Sequence, residues 1–406
     1  MRTLSAARLT ALICAAQTLV QIGAYTWPAL LPSMIPRWGL TNTAAGWITG
    51  IFYLAYMVSV PVLVTLTDRI EARRVYLFGV GCTVASHTLF CFLADGFWSA
   101  MGLRALAGVG WAGTYMTGLK LLADQVDERM MSRAVTGHAA SIGIAGAVSY
   151  STATFFVELR GWEFAFLMAG MTATLAWMLV ALFVPRRPGQ PRLSGVHLFD
   201  FRPIVRNRSA MAYSVVYCVH TLEMSALRGW GVAFLSFVAV TASGSENMPP
   251  PAVVLTVLAL LGTFASVIGN EAAIRYGRRR LIALAMLGSV ALGTSVGFLG
   301  SLSYPIAVAT LLAYGFMIWL DSASLTAGSS GTADPSRRGA TLAVHSTLGY
   351  AGGFAGPLIV GFILDLGGGM SRTTWGLSFL AVALLMLIAL AVFRVMRPRE
   401  LTGDRE

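Results

Sequence analysis

Apolar runs of about 20 residues recur along the whole chain between short polar breaks, and each can cross a hydrocarbon core of ~30 Å as a helix. Twelve such runs are read, among them Leu9 to Leu31, Phe97 to Leu122, Ser209 to Ala239, Pro305 to Ala327 and Ala340 to Leu364. The pattern makes a lipid bilayer the solvent. Composition agrees, because 56% of the 406 residues are hydrophobic and 12% charged, with a mean hydropathy of +0.71. The runs lack the alternation of barrel strands, so the expected fold is an all-α membrane protein of twelve transmembrane helices. The N-terminal segment has basic residues ahead of an apolar core, as a signal peptide does. Its apolar run continues to Leu31 without a small-residue cleavage site and is therefore taken as helix one.

Basic residues orient the chain. Only Arg37, Arg160 and Arg372 fall in loops assigned to the outside, and Arg104, Lys120 and Arg228 lie within the spans. The rest of the 29 fall in segments on one side, which places both termini in the cytoplasm. The net charge of +11 is thus a topology signal, and no nucleic-acid partner is implied. Cys14, Cys82, Cys91 and Cys218 all sit inside spans, which gives neither a disulfide framework nor a metal spacing; no cofactor is expected.

A Pro-, Arg- and Gly-rich segment, residues 185–208, divides the chain into two six-helix bundles, 1–184 and 209–406. The same events recur in order on both sides. After helix two comes "LTDRIEARR" (66–74), and after helix eight "IRYGRRR" (274–280). Trp162 and Phe166 open helix six, and Trp375 and Phe379 open helix twelve. Two halves of six helices are duplicated.

With these motifs the chain resembles the major facilitator superfamily. That family's loop signature G-x-L-A-D-R-x-G-R-R is matched at Leu66, Asp68, Arg69 and Arg73, while Val64, Glu71 and Ala72 depart from it. The second-half copy keeps Arg275, Gly277, Arg278 and Arg279, but Ile274 stands where the acid belongs. The helix-four signature R-x-x-x-G-x-G appears at Arg104, Gly108 and Gly110. The resemblance implies two halves rocking about a central site. It also implies loop charges that bind the cytoplasmic ends of neighbouring helices as a gate. Antiporter members show a Gly-Pro pattern in helix five, and Ser141 to Tyr150 has no proline, which counts against drug antiport.

Charges inside the spans mark the site, since each costs ~3 kcal/mol at mid-bilayer unless it faces water or a partner. On helix seven Tyr213, Tyr217, His220, Met224 and Arg228 share an arc of ~80°, whereas Glu223 lies ~60° to the other side of His220. Glu223 is within reach of His220, three residues away, and ~140° from Arg228 unless Gly229 and Gly231 break the helix. Asp321 on helix ten and His345 on helix eleven form a second candidate acid and histidine pair. Together His220, Glu223, Asp321 and His345 are the expected proton-coupling groups. Arg104 lies ~10 Å below the outer face on helix four, and helix one offers Gln17, Gln21 and Tyr25 on one stripe. With Tyr213, Tyr217 and Arg228 they make the expected substrate-binding set. His87 and His138 read as core histidines.

The expectation is a monomeric, proton-coupled transporter of a small organic anion in a bacterial-type inner membrane. Two further readings stay open: an exporter of apolar or cationic compounds, and a non-transporting sensor on the same fold. No H-E-x-x-H, nucleophile constellation or metal cluster suggests an enzyme.

Overall fold

The computed structural model describes residues 5–67, 69–126, 128–187, 202–401 and 404, without the side chains of 128–130, 132 and 336. Its α-helices are α1 (Ala6–Gln21), α2 (Thr26–Arg37), α3 (Asn42–Leu66), α4 (Ala72–Leu93), α5 (Phe97–Ala112), α6 (Tyr115–Ala123), α7 (Glu128–Arg160), α8 (Trp162–Phe183), α9 (Arg202–Arg206), α10 (Arg208–Thr241), α11 (Pro251–Tyr276), α12 (Arg278–Phe298), α13 (Tyr304–Leu320), α14 (Ser322–Gly331), α15 (Arg338–Leu366) and α16 (Arg372–Met396). Among the described residues there is no strand. Eleven helical segments there are long and apolar enough to cross a membrane.

The twelfth expected run, Phe97 to Leu122, is helical but divided into α5 and α6 at Gly113 and Thr114. The division lies where Gly113 meets Gly79 of α4 backbone to backbone, since a side-chain carbon added at Gly79 would come 2.5 Å from the Gly113 carbonyl carbon. Helix one is likewise two pieces. Pro28 has no N–H to close onto the Ala24 carbonyl, so the α1–α2 junction is held by short bonds from Ala24 N to Gln21 O and Thr26 N to Gly23 O. The third break falls at Asp321, between α13 and α14.

The chain gathers into two compact units, residues 1–30 with 51–194, and residues 31–50 with 195–406. In the first, Ile13, Tyr76, Val80, Leu121 and Val180 form the core, and Trp162 and Phe166 pack on Phe90, with the two phenyl rings stacked at 3.9 Å. In the second, Tyr213, Val216, Met286, Met386 and Phe393 form one core cluster, and Trp375 and Phe379 pack on Phe234. Each recurring Trp and Phe pair thus anchors an aromatic cluster of its own unit.

Small residues decide how α10 meets α15. Gly349, Gly352 and Gly356 of α15 lie against Tyr217, Cys218 and Leu222 of α10, a seam that only residues without a side chain allow. Gly229 and Gly231, the points at which helix seven was free to break, leave α10 continuous. Both glycines make room instead: Gly229 faces Thr49 and Pro357, and Gly231 faces Leu255.

The seam yields a contrast between two substitutions. A carbon added at Gly352 would overlap the Cys218 carbonyl, whereas nothing lies within 4 Å of one added at Gly81. Gly352→Ala is expected to destabilise by ~1 to 3 kcal/mol through overpacking, although alanine is the better helix former by ~1 kcal/mol. Gly81→Ala is expected to be neutral or stabilising. Thermal unfolding in one detergent checks this, and equal shifts for both variants would contradict it.

Candidate functional site

The second unit buries four ionisable side chains on α10, α15 and the α13–α14 break, two of them histidines that meet at Tyr217. His220 and Glu223 are each 1% exposed, Asp321 3% and His345 2%. His220 Nδ1 lies 3.0 Å from Asp321 Oδ1, an ion-pair distance without hydrogen-bond alignment, and neither ring nitrogen of His220 has a hydrogen-bond partner among the described residues. Glu223 Oε1 accepts from the Tyr314 hydroxyl at 2.9 Å, and its Oε2 is buried without a hydrogen-bond partner there. The Tyr217 ring stacks on both imidazoles, at 4.0 Å from His345 and 5.6 Å from His220.

The partners are exchanged relative to the sequence expectation. His220 faces Asp321 in place of Glu223, because α13 ends at Asp321 and the open turn presents the carboxylate to α10. His345 does not pair with Asp321. Its Nδ1 lies 3.2 Å from Ser214 Oγ and its Nε2 3.3 Å from Thr326 Oγ1, so two hydroxyls occupy both ring nitrogens. Tyr213 sits apart from this cluster. Its hydroxyl donates to the Arg399 carbonyl at 2.9 Å and its ring packs on Phe393. Arg228 stands two turns above His220's level on α10, its guanidinium 4.9 Å from the Trp319 ring, a cation–π arrangement.

The first unit holds a second polar group. Gln17 accepts from the Tyr76 hydroxyl at 3.0 Å, while its own amide nitrogen and the Gln21 carbonyl oxygen are buried without partners among the described residues. Tyr25 stacks on Tyr150 at 5.1 Å and, through its backbone N–H, donates to Ser149. Arg104 is 3% exposed, lies 4.7 Å from the Phe52 ring, and reaches the Ala24 carbonyl at 3.5 Å. That carbonyl is the one that Pro28 leaves unbonded, so helix-one geometry and the arginine are linked. Arg104 Nε has no hydrogen-bond partner among the described residues. His87 faces the Thr83 and Gly23 carbonyls at 2.9 and 3.0 Å.

Asp68 lies outside the described residues, and Arg69 and Arg275 are exposed. Arg73 is buried and donates to the Ala181 carbonyl near the end of α8. Gly277, with φ +94°, joins α11 to α12 in a conformation that favours glycine. Arg278 is buried and grips Asp404 with two bonds of 2.9 and 3.0 Å while reaching Asn270 and the Ser324 carbonyl. Glu400 caps α12, accepting from the Arg278 and Arg279 amides and from Arg279 Nε. Sequence reasoning missed both tail acids. The signal was the acid absent at Ile274, which Asp404 supplies from the far end of the chain. It also missed Asp365, whose carboxylate accepts from the Asn42 and Thr43 amides at 2.9 and 2.7 Å at the start of α3, a favourable place for an anion.

The sequence model of the Major Facilitator Superfamily matches residues 13–320. The chain belongs to this superfamily. It is therefore a multi-pass membrane transporter and not an enzyme. Relatives of this superfamily member include the sphingosine-1-phosphate transporter SPNS2 of Xenopus tropicalis, 24% identical over 84% of this chain and 70% of that one. The benzoate transport protein of Acinetobacter baylyi is 22% identical over 83% and 78%. Among solved structures, a bacterial homolog of the human lysosomal transporter Spinster, inward-facing and occupied, aligns with a TM-score of 0.78 at 14% identity, over 96% of each chain. That likeness bears on the fold alone.

The partner exchange is open to a direct check. A double-mutant cycle on His220→Gln and Asp321→Asn is expected to give a coupling energy of ~1 to 3 kcal/mol in unfolding, against under ~0.5 kcal/mol for His220→Gln and Glu223→Gln. A larger value for the second pair would contradict the geometry.

Proposed function

We propose that this superfamily member couples protons to the movement of a small organic anion by alternating access, as a monomer in a bacterial-type inner membrane with both termini in the cytoplasm. The observation that carries the reading is a set of buried polar atoms left without partners among the described residues. His220 Nε2 and Glu223 Oε2 are such atoms in the second unit, and Arg104 Nε, Gln17 Nε2 and Gln21 Oε1 in the first. Buried polar groups are normally paired, so orphans inside spans mark places where a proton, water or substrate completes the bonding. His220 with Asp321, and Glu223 with Tyr314, are the proposed proton carriers. His345, saturated by two hydroxyls, is proposed to hold Tyr217 in place.

Arg104, Arg228, Gln17, Gln21, Tyr25 and Tyr217 are the proposed substrate contacts. A guanidinium matches a carboxylate or phosphate in a planar, two-bond geometry. The names of two relatives favour this class, since benzoate is a carboxylate and sphingosine-1-phosphate carries a phosphate beside its ammonium. The gate role of Asp68, Arg69, Arg73, Arg275 and Gly277 stays a proposal. Arg278 and Arg279 are proposed to act in it together with Asp404 and Glu400.

Counterflow in proteoliposomes against carboxylates, phosphates, amines and neutral drugs tests the substrate class. Exchange of anions only is expected. Arg104→Lys and Arg228→Lys are each expected to lower anion affinity at least ~10-fold, since a point charge loses the planar geometry. Exchange of amines by the parent, undiminished in Arg228→Ala, would favour the cation exporter. Glu223→Gln and Asp321→Asn are expected to abolish uphill transport and spare exchange. Equal loss of both activities would assign these acids a structural role.

A further inference from the structure

A cleft of about 1200 Å³ opens beside α12 and α16, at the end of the second unit where the chain leaves α16. Its rim carries Arg280, Arg394, Arg397 and Arg399, all exposed, and none has an acidic partner among the described residues. The two acids in the cleft are already committed: Glu400 to Arg279 and the α12 amides, Asp404 to Arg278. The rim therefore carries an unbalanced surplus of guanidinium groups. Below it the wall turns apolar, with Leu284 59% and Leu287 40% exposed on the outward stripe of α12. An exposed leucine stripe on a membrane-spanning helix meets acyl chains.

A positive-inside bias accounts for arginines near helix ends, but not for their convergence on one cleft that continues into an apolar wall. The tail builds the convergence: Tyr213 holds the Arg399 carbonyl, Ser209 holds the Arg399 amide, and Asp404 anchors on Arg278, which fixes residues 397–401 and Asp404 across the end of α12. Arginine clusters between membrane helices recognise lipid phosphates, with tails lying along the helix below.

We propose that this cleft binds an anionic phospholipid, its phosphate among Arg280, Arg394, Arg397 and Arg399 and its acyl chains along Leu284 and Leu287. The site is independent of the transport reading and needs only that the chain be embedded in a bilayer. Occupancy ties lipid charge to the tail that holds Arg278.

Native mass spectrometry of the full chain in neutral detergent, titrated with phosphatidylglycerol, phosphatidylcholine or glycerol 3-phosphate, tests it. Saturable retention of phosphatidylglycerol alone is expected, weakened about 10-fold or more by Arg394→Gln/Arg397→Gln and largely restored by the matching lysine pair. Arg160→Gln/Arg372→Gln, an equal loss of charge elsewhere, is expected to change nothing. Equal retention of both lipids, equal weakening by the control pair, or displacement of the lipid by glycerol 3-phosphate at equal concentration would overturn the proposal. Should the double variant fail to fold, phosphatidylglycerol with a photoreactive tail gives a second readout on the unaltered protein. Label on α12 around Leu284 and Leu287 is expected, and label confined to other helices would overturn it.

Discussion

The Asp321 carboxylate facing His220 at 3.0 Å is the contact on which the polar interior of the second unit depends. A carboxylate in an apolar span is costly on its own, and breaking one partner of a buried pair leaves the other uncompensated. The break between α13 and α14 puts Asp321 where an unbroken helix would keep backbone and side chain engaged with their own turn. Tyr217 then stacks across both histidines, and His345 is locked by Ser214 and Thr326. Removing any one of these groups leaves another buried side chain without its partner.

Helix breaks serve the first unit in the same way. Pro28 frees the Ala24 carbonyl, and Arg104 lies against it with its guanidinium over Phe52. Bilayer helices satisfy their own backbone, and where proline interrupts the ladder a carbonyl is left for a side chain to meet. Glycine plays the complementary part. The seam of Gly349, Gly352 and Gly356 lets α15 approach α10 closely enough for His345 to meet Tyr217 ring to ring.

Much of this was legible before any coordinates. The apolar runs gave the spans, because hydrocarbon thickness sets their length. The charged residues inside spans marked the polar interior. Partner choice was not legible. Periodicity places Glu223 within reach of His220 along one helix, yet says nothing of a carboxylate brought across by the turn at Asp321. Tyr213 shares an arc with His220, but its level on α10 puts its hydroxyl at the Arg399 carbonyl. Glu400, Asp404 and Asp365 escaped notice because they lie at span ends or beyond, where an acid is unremarkable. Their roles come from distant amides and arginines, at Arg278, Arg279, Asn42 and Thr43.

The central claim is that buried acids of the second unit gain a proton when an anion binds. The most direct measurement is proton uptake by the purified protein in weakly buffered solution, followed with a pH indicator as the best-exchanged carboxylate is added. Stoichiometric uptake by the unaltered protein, lost in Asp321→Asn and Glu223→Gln at matched saturation, is the expected result. Saturable carboxylate binding with no proton uptake, or with uptake unchanged in both variants, would contradict it.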